Sequence, residues 1–101
     1  MQIHHLASSE DWEQRTSEHY EPAGLAAEGF IHLCTGDQLA GVVERYYQGR
    51  DDLILLTVDD ERLGADLVWE DLPGSGEEFP HVYGQLPLAA VVECAPFEQK
   101  T

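Results

Sequence analysis

Short apolar runs alternate with polar breaks along the chain, and the spacing inside each run predicts its element. Residues 2–6 read as a first strand. Ser8 and Ser9 followed by Glu10 and Asp11 read as a helix start, because a hydroxyl caps free amides and early acids suit the positive end of the dipole. That helix is expected to run to about His19 on one main apolar anchor, Trp12, until Pro22 and Gly24 break it. Residues 29–34 read as a strand with Phe30, His32 and Cys34 on one face and Ile31 and Leu33 on the other. Thr35 and Gln38 have capping-box spacing. Leu39, Val42, Val43, Tyr46 and Tyr47 then fall on one helical stripe, and Gly49 supplies the stop.

The second half is richer in strands. Residues 53–58, LILLTV, are apolar on both faces, which predicts a central strand. Residues 59–64 read as a turn or short helical piece. Residues 67–70 read as a strand with Val68 and Glu70 on one face and Leu67 and Trp69 on the other. The acidic, breaker-rich stretch at 71–78 is expected to be a loop. The stretch FPHVYGQLP at 79–87 sets two prolines and a glycine around His81 and Tyr83, and residues 89–95 read as a last strand. Strands and helices mix without a regular βαβ rhythm, so the expected class is α+β.

Length and composition narrow the picture. A chain of 101 residues has room for a single domain, 1–101, and its 43% apolar and 25% charged residues are those of a folded chain. Five basic residues against twenty acidic ones leave a net charge of −15. The arginines are scattered and the one lysine is Lys100, so phosphate-driven nucleic-acid binding and anionic membrane binding are not expected. The acidity reads as solubility or as an acidic docking surface. There is no membrane-length apolar run and no basic-then-apolar leader. Cys34 and Cys94 form no disulfide framework, and a reducing cytoplasm is the simplest location.

Five histidines carry most of the candidate chemistry. His4 and His5 are neighbours on a strand, so only one can face a given pocket. His19 suits the negative end of its helix. His32 is either a satisfied core residue or part of a ligand site, with amides at Gly36 and Asp37 aimed at what it faces. Cys34 shares its face, as an activated nucleophile or as an inert buried thiol. Glu70 is either solvated or a carboxylate tuned for acid–base or oxocarbenium work. His81 and Tyr83 either line a pocket or plug the edge of the core. No HxH, HxxxH or HExxH spacing marks a metal site, and the chain has no GxGxxG, Walker or GxSxG motif.

Taken together, Trp12, GFIHLCT at 29–35, DDLILLTVD at 51–59, LVWE at 67–70 and FPHVYGQLPLAAVV at 79–92 resemble the small bacterial family catalogued as domain of unknown function 952. The resemblance runs from about residue 3 to 97, and GFIHLCT and FPHVYG are its specific parts. It implies a compact fold of split, curved, mostly antiparallel sheets with two main helices, similar to the ADP-ribosyltransferase superfamily. By that analogy His5 takes the first-strand place in the cleft, His32 and Thr35 stand near the second, and Glu70 or His81 stands in the last. Cys34 departs from the serine usual in the family.

The resulting expectation is an ADP-ribosyltransferase-like enzyme, with no bound cofactor and with NAD or another nucleotide as substrate. Its candidate catalytic residues are His32, Glu70 and His81. His5, Thr35, Gly36, Trp69 and Tyr83 would bind ligand, with Tyr83 or Trp69 stacking on a ring and Glu70 facing the anomeric carbon as nicotinamide leaves. The competing expectation is a non-catalytic module that uses the same cleft for a small metabolite or a protein partner. A third is a thiol enzyme built on Cys34 and His32.

Overall fold

Two three-stranded antiparallel sheets and a two-stranded ribbon make up the chain in a computed structural model that describes residues 1–71 and 74–98. In the first sheet β4 (Leu53–Asp59) lies between β1 (Gln2–Ser8) and β8 (Val91–Pro96). The apolar LILLTV run therefore takes the central position that its two-faced hydrophobicity predicts. In the second sheet β6 (Phe79–Val82) lies between β3 (Ile31–His32) and β5 (Leu67–Glu70). The ribbon pairs β2 (His19–Tyr20) with β7 (Leu86–Pro87). Ile3, Tyr20, Ile31, Leu56, Val58, Val82 and Leu86 fill a core drawn from all three sheets, and each is essentially inaccessible to solvent. The α+β class and the mostly antiparallel pairing match the sequence reading.

Several elements are shorter than their patterns predict. Helix α1 is Ser9–Glu13 and stops well before His19. Its single anchor gives little packing, and the Thr16 hydroxyl accepts hydrogen bonds from the amides of Glu18 and His19 at 3.3 and 3.0 Å, a local turn that competes with the helix. Tyr20, beyond it, is claimed by the core.

The expected strand at 29–34 joins a ladder only at Ile31–His32. Before it, Gly29 ends a short helix, α2 (Leu25–Glu28), at φ +86°, a conformation that favours glycine. That helix went unread in the sequence, although Gly24 and Gly29 bracket it. After it, Cys34 turns away to pair with His4, through backbone bonds of 2.7 and 2.8 Å in both directions. One short segment thus stitches the two larger sheets together.

Helix α3 (Gly36–Val42) opens on the predicted capping box. The Thr35 hydroxyl accepts from the Gln38 amide at 3.2 Å, and the Gln38 side chain accepts from the Thr35 amide at 2.9 Å. Its last turn, Val43–Tyr47, winds as a π-helix. The wider i→i+5 winding breaks the predicted stripe. Tyr47 stays half-buried, while Tyr46 swings out to solvent. In the acidic segment at 71–78, the Asp71 carboxylate accepts from the amides of Ser75 and Gly76 at 2.9 and 2.6 Å; residues 72 and 73 lie outside the described residues.

Candidate functional site

The stitch between the sheets creates two adjoining recesses. The wider, about 490 Å³, lies among β1, the 30–34 segment, β6 and the π-turn; its walls include His4, Phe30, His32, Cys34, Phe79 and His81. Arg45, Tyr46 and Tyr47 close its helical side. The narrower, about 150 Å³, is lined by His5, Asp11, Tyr20 and Arg50 among others. Phe30, Glu28 and His32 border both.

His81 is the best-supported polar group in the wide cleft. Strand β6 runs through the middle of its sheet, and register places Val68 opposite His81 and Phe79 opposite Glu70. The His81 side chain is almost fully buried, and its Nδ1–H donates to Glu70 Oε1 at 2.8 Å. The Tyr83 hydroxyl donates to the same oxygen. These two donors, Tyr83 first, hold the Glu70 carboxyl below its ordinary range, while the carboxylate pushes the Tyr83 phenol up. With Nδ1 committed, Nε2 is the free nitrogen of a ring that lines the cleft. It has no partner among the described residues and is not sealed from solvent. A carboxylate behind an imidazole fixes its tautomer and orientation, which is how a histidine is prepared to move a proton.

Aromatic rings hold this group in place. Phe30 packs against His81, His32 and Tyr83, with centroids at 4.4, 4.8 and 5.2 Å. His32 stands at the rim, with its side chain more than half exposed, and its Nε2 lies 2.5 Å from Glu28 Oε2. It is therefore not a core residue.

His5 serves a different purpose. Its Nδ1 lies 2.6 Å from the His32 carbonyl, which can only accept, so Nδ1 carries the proton and Nε2 accepts from the Tyr20 hydroxyl at 2.9 Å. Complete burial pushes the His5 pKa down to about 4 and the Tyr20 phenol well up. His5 is a neutral strut between β1 and the 30–34 segment. His4, on the opposite face of the same strand, is the β1 histidine that lines the wide cleft. The alternation along β1 was legible; which histidine faced which recess was not.

Of the remaining candidates, Thr35, Gly36, Trp69 and Tyr83 do not line this cleft, whereas Cys34 does. Thr35 spends its hydroxyl on the helix cap, and neither it nor Gly36 lines either recess. Trp69 packs on the core from the face of β5 opposite Glu70. Tyr83 reaches the site only through Glu70 and Phe30. Burial pushes the Cys34 thiol up to about 11, so it is no thiolate at neutral pH, which removes the physical basis of the thiol-enzyme reading. Among the described residues no cluster of three or more His, Cys, Asp or Glu side chains is arranged to hold a metal ion, and no helix is long and apolar enough to cross a membrane. Phe30, Phe79, Arg45 and Tyr46 were missed. For the three aromatics the only sequence signal was the apolar stripe and strand faces, which look the same whether they cover a core or a cleft; Arg45 lies off the stripe and had none.

Fold and site together define a small α+β domain of paired antiparallel sheets with a histidine- and aromatic-walled cleft at their seam. The chain belongs to the family described as Protein of unknown function (DUF952), which matches residues 6–94. The X-ray structure of protein CC0527 from Caulobacter crescentus is 33% identical to it, with a TM-score of 0.88 over 99% of this chain and 89% of that one. The solution NMR structure of CC0527 is also 33% identical, with a TM-score of 0.82 over 98% and 86% of the two chains. No curated protein matches the chain.

Proposed function

We propose that the wide cleft takes a nucleotide or ADP-ribosyl group and that His81 moves a proton on it. The observation that carries this reading is the nearly buried His81, which lines the cleft, is backed by Glu70 and Tyr83, and has an Nε2 without a partner among the described residues. The volume supports it as well: about 490 Å³ lies within the range of roughly 300–1,000 Å³ usual for small-ligand pockets. Phe30, Phe79 and Tyr46 offer ring surface to a planar base, and His4 and His32 offer polar contacts to ribose hydroxyls.

This geometry changes the part assigned to Glu70. The oxygen it shares between His81 and Tyr83 makes it a positioning residue that acts through His81, rather than a carboxylate facing an anomeric carbon. The same fact favours a second reading, a binding module that turns nothing over. Titration of labelled protein with NAD and ADP-ribose, followed by NMR, tests the cleft. Shifts gathered at His4, Phe30, His32 and His81 are expected; none at millimolar ligand would sink the nucleotide reading. Chromatographic detection of nicotinamide, lost in His81→Gln, would separate the enzyme from the binder.

A further inference from the structure

We propose that Arg45 and Tyr46, presented together by the π-turn, recognise a planar heteroaromatic ring bearing a single phosphate, so that the cleft prefers a mononucleotide to a nucleoside or a dinucleotide. The proposal rests on the nucleotide reading above and specifies its substrate class.

Cations are scarce in this chain, and nearly all of the described ones are committed. Arg62 lies 3.3 Å from the Asp59 carboxylate, and Arg50 donates to both oxygens of Asp52 at 2.9 and 2.7 Å. The terminal ammonium of Met1 pairs with Asp60 at 3.0 Å. Arg15 lies over the Trp12 ring at 4.3 Å and donates to the Trp12 carbonyl. Arg45 has no carboxylate partner and no hydrogen bond among the described residues, and it lines the wide cleft. In a protein of net charge −15, an unpaired guanidinium beside a pocket is out of keeping with its surroundings. Guanidinium groups bind phosphate with two parallel N–H···O bonds, stronger than neutral ones.

Tyr46 is the matching anomaly. It is the most exposed of the aromatic side chains, at 69%, it has no ring neighbour among the described residues, and it lines the same cleft. The other aromatic wall is already packed: Phe30 is held by three rings. A base entering the cleft that Tyr46, Phe30 and Phe79 all line would have aromatic surface to meet, with the Arg45 guanidinium next to Tyr46 in sequence. π-Helical turns of this kind are frequent at functional sites.

The count of cations sets the preference. The wide cleft offers one guanidinium, and the Glu28 carboxylate stands on its rim. Arg50, in the narrow recess, is already neutralised by Asp52. Among the described residues a second phosphate would meet no further guanidinium or ammonium in this cleft.

The test is an NMR titration of the full chain with AMP, adenosine and NAD, repeated on Arg45→Gln and Tyr46→Ala. Both residues are exposed, so the variants should fold, and a dispersed amide spectrum verifies it. AMP should bind the wild type about tenfold more tightly than adenosine, the worth of one charge-assisted contact, and no more weakly than NAD. Arg45→Gln should abolish the preference for AMP over adenosine and leave adenosine unchanged. Tyr46→Ala should weaken AMP and adenosine alike. Equal binding of AMP and adenosine by the wild type, or a preference that survives Arg45→Gln, would overturn the proposal while the nucleotide cleft stands. Absence of binding by all three ligands would remove both.

Discussion

At the scale of the residue, His5 shows how a titratable group can be structural. Its proton sits on Nδ1 because the only group there is a carbonyl, and its second nitrogen is capped by a buried phenol. The folded pKa of about 4 lies below the ordinary 6.5, so below pH 6.5 the unfolded chain binds the proton more tightly. Stability should therefore be full above about pH 6.5 and fall as the pH drops towards 4, by about 3 kcal/mol at roughly 1.4 per unit of difference. Urea denaturation across that range measures it. The slope should flatten in His5→Gln; an unchanged slope in that variant would show that another group is responsible. Below pH 5 Glu70 adds to the loss. Its carboxyl is held low in the fold, so its contribution is present above its ordinary value and disappears as pH falls through the folded one.

At the scale of the element, the cap of α3 separates what the sequence revealed from what it concealed. Thr35 and Gln38 were readable because a capping box is a local pattern, and both bonds are present. Gln38 goes further: its Nε2 donates to Glu77 Oε1 at 3.0 Å and to the Glu78 carbonyl at 2.8 Å, tying the helix to the segment before β6. Thr35→Ala should cost about 1 kcal/mol of stability, read from its denaturation midpoint, without shifting the cleft resonances. If that variant lost ligand binding while folded, Thr35 would belong to the site after all. The central strand β4 was equally legible, because its burial depends on its own composition. The end of α1 and the brevity of β3 were not. The first follows from a Thr16 turn that competes with the helix and from the pull of Tyr20 into the core, the second from the pairing of Cys34 with His4, far away in sequence. The histidine and carboxylate types of the site were visible, but the pairing of Glu70 with His81 needed the β5–β6 register.

At the scale of the whole molecule, charge is the dominant fact. The chain measures 35 × 32 × 27 Å and carries fifteen more negative than positive charges. At about 0.01 M salt the screening length is about 30 Å, so every acid feels nearly every other; at about 0.1 M it is about 10 Å. The melting temperature should therefore rise over that step, as calorimetry would show, because screening relieves a repulsion that favours expansion. A fall would mean that the few ion pairs outweigh the excess.

The pairing of β1 with β4 also has a consequence in time. Strand β1 carries His4 of the wide cleft and the His5 strut, yet its partner lies about fifty residues further along. At roughly 5–20 residues per second, a ribosome would deliver β4 several seconds after β1. Through that delay Ile3 and Leu6 have no sheet to join, and His81 follows later still. The cleft thus joins segments that emerge several seconds apart, and a nascent chain has no site until β6 has followed β1.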